Sequence, residues 1–160
     1  MLEVLVVVAI LAILGTLGFY AWQPLIGRAE GAKCLSHMRL LHSALTSYVQ
    51  DVGHWPQEPG VPEEDYDIDA DWWIKEMKPY GATEESWMCP SIRRAQKSVP
   101  EKERWKVHYS PTIFNAFPTA PYKFAGQPWL IEVVGLHGRG PNICFPDGSI
   151  RPLDDLLPKN

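Results

Sequence analysis

The stretch MLEVLVVVAILAILGTLGFYAW, residues 1–22, decides the fold of this chain. The nineteen residues from Val4 to Trp22 carry no formal charge, and nearly all of them are apolar. About 20 such residues in an α-helix are enough to cross a hydrocarbon core that is ~30 Å thick. Glu3 is the exception. A carboxylate near a membrane-spanning helix is energetically costly, so its presence there indicates a function. The sequence therefore predicts a transmembrane helix with a functional acid near its start.

This stretch does not have the pattern of a cleaved signal peptide. No basic residue precedes the apolar run, the run is longer than a signal core of roughly 7–15 residues, and no small-residue cleavage site follows it. We therefore expect it to remain in the mature protein. The first basic residue is Arg28, so flanking charge gives no clear orientation, and a leader already removed is one element that could have set it.

An amphipathic helical pattern follows at residues 25–52. Gly53 supplies a C-terminal stop for it. Its apolar positions recur at steps of three and four, which is typical of a helix with one buried face: Leu35, Met38, Leu41, Leu45, Tyr48, Val49 and Val52.

The junction between the two helical patterns contains residues that weaken helices, namely Gly15, Gly18 and Pro24. Glycine loosens a helix, and proline removes a backbone hydrogen bond, so these residues mark a candidate helix break. One interpretation is a helix that ends near Pro24. The favoured one is a weakened but continuing helix of about fifty residues, because helical signals resume at once.

The remaining residues, 53–160, are predicted to form a globular α/β head. Their C-terminal part contains short β-rich runs, such as WLIEVV at 129–134 and NICF at 142–145. The step Pro146-Asp147-Gly148 between two such runs predicts a hairpin turn. The fold class is therefore α+β, with a long N-terminal helix packed on a small antiparallel sheet. Three parts follow: a hydrophobic helix at 1–24, its amphipathic continuation at 25–52, and the head at 53–160.

A proline-rich acidic segment, residues 54–72, begins the head directly after the long helix. Its acids have the spacing of an EF-hand calcium loop, although Ala70 stands where the sharp turn needs glycine. The alternative is a solvated acidic loop followed by a short helix that Asp71 caps. The candidate calcium ligands are Asp65, Asp67, Asp69, Asp71 and Glu76; no other cofactor is expected.

The three cysteines are too few for a disulfide scaffold. Cys34 lies on the amphipathic helix and Cys89 in the middle of the chain, and a bridge between them is the candidate disulfide. It would close a loop of about 55 residues and stabilise the fold by roughly 4 kcal/mol in the chain-entropy model. Cys144 is predicted to be a small buried hydrophobe.

Motifs of known enzyme classes are missing from the sequence, which has no nucleophile elbow, P-loop, dinucleotide fingerprint or zinc-type Cys/His cluster. Glu132, His137 and Asp147 could converge at one end of the sheet to bind a metal or transfer protons. The favoured interpretation is structural, because residues in glycine-rich loops and tight turns often satisfy backbone groups. We therefore expect no enzyme activity. The net charge of −4 also argues against a specific nucleic-acid partner.

Several of these features together resemble a known family. Glu3 followed by VLVVVAILAIL resembles the N-terminus of type IV pilins and of the pseudopilins of type II secretion. The run GRAEGAKCLSHMRLLHSAL, the WMCP step, and His137 followed ten residues later by Asp147-Gly148 narrow the resemblance. They are similar to the H-x9-DG pilin-like proteins of planctomycete and verrucomicrobial bacteria.

The resemblance implies a structural subunit of a type IV pilus-like helical filament with a pilin-like fold. It implies processing by a prepilin peptidase, methylation of the new N-terminus, residence in the inner membrane, and then assembly with copies of itself into an extracellular or periplasmic filament. Glu3 matches the glutamate that neutralises the N-terminal amine of a neighbouring subunit. The residues expected to mediate filament assembly are Met1, Leu2, Glu3, Val4, Leu5, Val8, Leu11 and Leu14.

Two alternatives to this function remain open. The first is a minor pseudopilin that primes or tips a type II secretion pseudopilus. The second, of another class, is a membrane-anchored periplasmic enzyme or binding domain that uses Glu132, His137 and Asp147.

Overall fold

The structure is a computed structural model that describes residues 2–59, 69–114, 118–138 and 140–158. Within the first helix it does not describe the side chains of residues 2 and 18–24. Met1, Asp65 and Asp67, all named in the sequence predictions, therefore lie outside the described residues.

The longest element is helix α1, Leu2–Val52, with 51 residues. At 1.5 Å per residue it is about 75 Å long. Gly53 ends it in a left-handed conformation (φ 82°), and its N–H donates to the carbonyl of Val49 at 3.0 Å. A residue without a Cβ adopts this conformation at little cost, so the predicted C-terminal stop is confirmed.

Helix α1 runs without interruption through Gly15, Gly18 and Pro24. The predicted helix break at these residues is therefore wrong, and the interpretation as a continuing helix is confirmed. A proline inside a helix removes one hydrogen bond of the ladder, and the bonds on either side of it hold the axis.

No helix in the part of the chain whose side chains are described is both long enough and apolar enough to span a membrane.

The head contains a four-stranded antiparallel sheet in the order β1-β2-β3-β4. The strands are short: β1 Tyr109–Pro111, β2 Leu130–Glu132, β3 Asn142–Cys144 and β4 Ile150–Pro152. Tyr109 pairs with Glu132 across β1 and β2, and Leu130 pairs with Cys144 across β2 and β3. The predicted α+β class with a small antiparallel sheet is confirmed.

A tight turn joins β3 to β4 where the sequence predicts it. The N–H of Gly148 donates to the carbonyl of Phe145 at 2.9 Å, and Gly148 has a φ of 78°. Proline at the second position presets its own φ, and glycine accepts the positive φ.

Among the described residues before the sheet there are two short α-helices, α2 at Ala70–Met77 and α3 at Pro90–Ala95. The N-cap of α2 is Asp69, whose Oδ1 accepts hydrogen bonds from the N–H groups of Asp71 and Trp72 at 3.0 and 3.1 Å. The predicted cap at Asp71 is therefore wrong by two residues, because Asp69 has the extended backbone that a cap needs. Short 3₁₀ helices occur at Lys78–Tyr80, Glu84–Trp87, Gln96–Ser98, Glu101–Glu103 and Leu153–Asp155.

The core lies between the C-terminal half of α1 and the head. The buried stripe of α1 is Cys34, Met38, Leu41, Ala44, Leu45, Tyr48 and Val49. Leu35 is only half-buried and Val52 is exposed, so the predicted stripe is correct at its centre and rotated at its two ends. Four of the seven tryptophans fill the opposite side of the core: Trp55, Trp73, Trp87 and Trp129. Each such ring buries a large apolar area, which compensates for the small core surface of such short strands.

Candidate functional site

The N-terminal part of α1 presents an apolar surface that the head does not cover. Every described side chain from Glu3 to Leu17 is exposed, with Val4 at 66% and Leu5 at 68%. Val8, Leu11 and Leu14 are more than half exposed in the same way. Contiguous exposed apolar surface marks an interaction site, so this helical segment is a candidate binding surface.

Glu3 is the only formally charged residue in the first 27 positions of the chain. Its side chain is exposed at the start of the apolar segment. When an apolar partner covers this surface, the carboxylate needs a cation or a set of donors beside it, because an unpaired buried charge is strongly destabilising. Its location fits a residue that selects its partner by charge.

A second candidate site lies where α1 meets the sheet. Cys34 of α1 and Cys89, which precedes α3, form a disulfide with Cα atoms 5.2 Å apart. The predicted pairing is confirmed, and Cys144 is a buried free thiol as expected. Nε2 of His137 lies 3.2 Å from each of the two sulfur atoms. The motif histidine therefore contacts the bridge that joins the helix to the head.

Glu132, the last residue of β2, completes this cluster. It is only 1% exposed. Its Oε2 accepts hydrogen bonds from the backbone N–H of Asn142 at 3.1 Å and from the Asn142 side-chain amide at 2.8 Å. Its Oε1 lies 3.2 Å from Nε2 of His137 but makes no hydrogen bond to any of the described residues. The two atoms are close but not aligned for a hydrogen bond, so Oε1 of the buried Glu132 carboxylate lacks a donor.

Two buried residues form hydrogen bonds with the backbone of the two cysteines. The Tyr109 hydroxyl donates to the carbonyl of Cys34 at 3.4 Å, and burial together with the Glu132 carboxylate raises the pKa of Tyr109. Nδ1 of His108 accepts a hydrogen bond from the N–H of Cys89 at 2.8 Å. Both cysteines are thus fixed through their backbones as well as through their sulfur atoms.

The structure separates Asp147 from this cluster. Its Oδ1 accepts a hydrogen bond from the N–H of Ser149 at 2.9 Å within the β3–β4 turn. Hydrogen bonds from Ser149 lower the pKa of the Asp147 carboxyl. The predicted convergence of Glu132, His137 and Asp147 is therefore correct for the first two residues and wrong for the third.

The H-x9-DG motif, His137 to Gly148, instead contacts α1 at two levels. His137 lies against Cys34, and Gly148 packs under His42, whose imidazole lies 3.2 Å from where a Cβ would stand at Gly148. Nε2–H of His42 also donates to the carbonyl of Pro146 at 3.0 Å. Eight residues of helix separate Cys34 from His42, about 12 Å along the axis. The motif is a two-point attachment of the β3–β4 region to the long helix.

The described part of the predicted calcium segment does not have an EF-hand conformation. Helix α2 begins at Ala70, the sixth position of the proposed loop, where an EF-hand turns sharply. Asp69 caps this helix, and both carboxylate oxygens of Asp71 accept from Lys106, at 2.7 and 2.5 Å. Glu76 lies beside Tyr48, where it helps to raise the pKa of that phenol. The described acids thus have other partners, and Asp65 and Asp67 lie outside the described residues.

Sequence reasoning missed that four residues distant in the chain gather at one point. Cys34, Cys89, Glu132 and His137 place one ligand atom each within 4.8 Å of one another. Their spacings match no zinc motif, because the residues come from a helix, a loop, a strand and a second loop. Asn142, which orients Glu132, was also missed. Each cysteine is separated by tens of positions from the other and from Glu132 and His137, so no local sequence pattern could have revealed the cluster.

No protein-family model matches this chain, and no curated protein or solved structure shows significant similarity to it.

Proposed function

We propose that this chain is a structural subunit of a type IV pilus-like helical filament, which polymerises through the N-terminal part of α1. The observation that carries the proposal is the division of a single 51-residue helix into two surfaces. From Cys34 to Val49 one stripe is buried in the head, whereas Val4 to Leu17 expose apolar side chains. A helix anchored at one end and apolar at the other is suited to bundling with copies of itself.

Apolar burial alone does not explain why such a subunit leaves a bilayer for a filament. Lipid tails are as apolar as leucine, so both environments cover Val4, Leu5 and Leu11 equally well. A charge pair makes the difference, because Glu3 in an apolar bundle needs a cationic partner. In the proposed filament that partner is the N-terminal amine of an adjacent subunit, and the pair sets the axial register of the helices.

The proposal includes the pilin-like fold, the localisation and the partners that the resemblance implies. The subunit resides in the inner membrane before assembly, is processed by a prepilin peptidase and methylated at its N-terminus, and then joins an extracellular or periplasmic filament with its assembly machinery. The head, fixed to α1 by the Cys34–Cys89 disulfide, forms the filament surface. Intramolecular disulfides are typical of such oxidising compartments.

The proposal is tested by replacing Glu3 in cells that assemble the filament. Glu3→Ala and Glu3→Gln are expected to yield folded subunits that stay in the membrane fraction and fail to enter filaments sheared from the cell surface. Glu101→Ala is the matched control, because it removes an exposed acid of the head and is expected to assemble normally. Filaments formed at normal yield by Glu3→Ala would refute the assembly role of Glu3.

The composition of the purified filaments distinguishes the two filament alternatives. A bulk subunit is expected to be the main protein by mass spectrometry of sheared filaments. A minor pseudopilin would instead appear in trace amounts beside another main protein.

A further inference from the structure

The cluster formed by Cys34, Cys89, Glu132 and His137 has the composition of a metal site. It offers two sulfur atoms, one imidazole nitrogen and one carboxylate oxygen, all within 4.8 Å of one another. Structural zinc sites use four ligands of these types in a tetrahedral arrangement. The proposed filament function uses the two cysteines only as a disulfide and assigns no metal to these residues.

The distances around His137 fit tetrahedral coordination. In a tetrahedral site, zinc–nitrogen and zinc–oxygen bonds of about 2.0 Å and zinc–sulfur bonds of about 2.3 Å place the histidine nitrogen roughly 3.3–3.6 Å from the other ligand atoms. Nε2 of His137 lies 3.2 Å from each cysteine sulfur and 3.2 Å from Oε1 of Glu132. A single ion can therefore reach His137, Glu132 and both sulfurs with small side-chain movements once the sulfurs separate.

The protein holds the carboxylate ready for a ligand. Oε2 of Glu132 accepts hydrogen bonds from the backbone N–H and the side-chain amide of Asn142, which fixes the plane of the carboxylate. Oε1 faces His137 and lacks a hydrogen bond among the described residues, although Glu132 is buried. A buried oxygen without a donor is costly, and a bound cation removes that cost. Outer hydrogen bonds of the Asn142 kind are typical of metal sites.

The ligand types select a borderline-soft transition metal over calcium. Thiolates and imidazole favour Zn²⁺ and related ions, whereas calcium takes six to eight oxygen ligands. The site is also reachable, since the side chain of His137 is 12% exposed and lines a surface cavity with Gly31 and Asn142. An ion can enter along the imidazole while the cysteines and Glu132 remain buried.

We propose that Cys34, Cys89, His137 and Glu132 form a zinc-binding site in the dithiol form of this chain, and that the disulfide is the metal-free form of the same site. A dithiol reductant supplies two electrons and two protons and leaves as its own disulfide, which breaks the Cys34–Cys89 bond and gives two thiols. A phosphine supplies the two electrons, and water supplies the two protons and the oxygen of the phosphine oxide that leaves. Zinc then displaces both thiol protons. In the reverse direction, a small-molecule disulfide accepts the two electrons from the two thiolates, takes up two protons from water and leaves as two thiols, while the Cys34–Cys89 bond forms and Zn²⁺ is released.

The test is a Co²⁺ titration of the full chain in detergent micelles, after reduction by a phosphine. Cobalt is a suitable probe because thiolate ligands give a charge-transfer absorption and tetrahedral sites give strong visible bands. The reduced chain is expected to bind one Co²⁺ with both features and to lose them when one equivalent of Zn²⁺ is added. The oxidised chain is expected to show neither feature.

Variants assign the ligands. His137→Gln and Glu132→Gln are expected to weaken cobalt binding by at least about tenfold, since even outer-sphere changes cost that much. The double variant Cys34→Ser/Cys89→Ser is expected to lack the charge-transfer absorption. Cys144→Ser, which removes the free thiol outside the cluster, is the matched control and is expected to bind like the wild type.

Three results would overturn the proposal. The first is a reduced, folded wild-type chain without the charge-transfer absorption. The second is unchanged affinity in both His137→Gln and Glu132→Gln. The third, checked by circular dichroism, is cobalt binding no tighter in the reduced chain than in the same chain unfolded in urea. The proposal does not depend on filament formation, so the outcome with Glu3 variants leaves it unaffected.

Discussion

His108 holds Cys89 in place through a hydrogen bond that only a neutral imidazole can make. Its Nδ1 accepts from the N–H of Cys89 at 2.8 Å, while its Nε2–H donates to the carbonyl of Trp105 at 3.1 Å. Burial lowers the pKa of His108, and the nearby charge of Arg93 acts in the same direction. A proton on Nδ1 would place two donors against each other, so the fold depends on the uncharged form.

The lowered pKa of His108 predicts acid sensitivity. The unfolded chain takes up this proton more readily, near its ordinary pKa of about 6.5, so the stability that His108 contributes is complete above that pH and falls as the pH drops toward the folded-state pKa. We expect the free energy of unfolding, from urea titrations, to fall between about pH 7.5 and about pH 5. His108→Asn keeps an acceptor that does not titrate and should reduce this pH dependence.

The control for this prediction is His54→Asn, at a half-buried histidine whose Nδ1–H donates to the carbonyl of Trp55 and whose ring lies edge-on to Tyr48. It is expected to leave the acid dependence close to that of the wild type. Equal slopes in His108→Asn and the wild type would show that another group causes the acid sensitivity.

At the scale of single residues, local patterns predict partners that are near in sequence and miss those brought together by the fold. The turn at Gly148 follows from its own sequence, because proline and glycine set backbone angles directly. The contact of His137 with Cys34 spans 103 positions and depends on how the sheet packs on α1. The sequence analysis placed Glu132 and His137 together correctly. It missed their cysteine neighbours, because no local signal encodes that packing.

At the scale of elements, α1 has one secondary structure and two different surroundings. Its C-terminal half packs against the head, and the described N-terminal side chains are exposed. Helical periodicity alone predicts the first surface. The rotation of the stripe toward Cys34 was not predicted, because the disulfide and the large tryptophans of the head decide which edge of the stripe is covered.

Adjacent leucines of α1 test this division. Leu41 is fully buried and Leu40 is 39% exposed. Leu41→Ala is expected to reduce the free energy of unfolding by about 2–5 kcal/mol, the usual cost of an internal cavity. Leu40→Ala, the matched control, is expected to cost less than about 1 kcal/mol. Denaturant titrations measure both values, and equal costs would contradict the position of the buried face.

At the scale of the whole molecule, one disulfide cross-links the long helix to the head. The Cys34–Cys89 disulfide links residues 55 positions apart. Between them lie the proline-rich segment and α2, and the strands that follow are only three residues long. A loop of that size constrains the unfolded chain by roughly 4 kcal/mol in the chain-entropy model.

Reduction of the disulfide is therefore expected to destabilise the head substantially. In detergent, with a phosphine reductant and a chelator present to keep metal away, the melting temperature should fall by roughly 10 °C. Calorimetry or circular dichroism measures the shift. The Cys144→Ala chain is the control and should show the same difference between its oxidised and reduced forms, because Cys144 is outside the bridge. An unchanged melting temperature would mean that the bridge constrains little.

The overall architecture could be predicted because it follows from strong regular patterns. A long apolar and amphipathic run predicts one helix, and short β-rich runs with turn signals predict a meander. The four-stranded order β1-β2-β3-β4 has no crossover, so neighbours in sequence are neighbours in the sheet. The cap of α2 and the metal-type cluster were not predictable in this way, since each depends on the backbone conformation or packing of single residues.

The most direct test of the filament proposal is a cryo-electron microscopy reconstruction of filaments assembled from this chain. We expect the N-terminal parts of α1 from neighbouring subunits to pack together along the filament axis. We also expect the carboxylate of Glu3 to lie within about 4 Å of a neighbour's N-terminal amine. Filaments held together by contacts between heads, with residues 3–17 away from other subunits, would contradict the account.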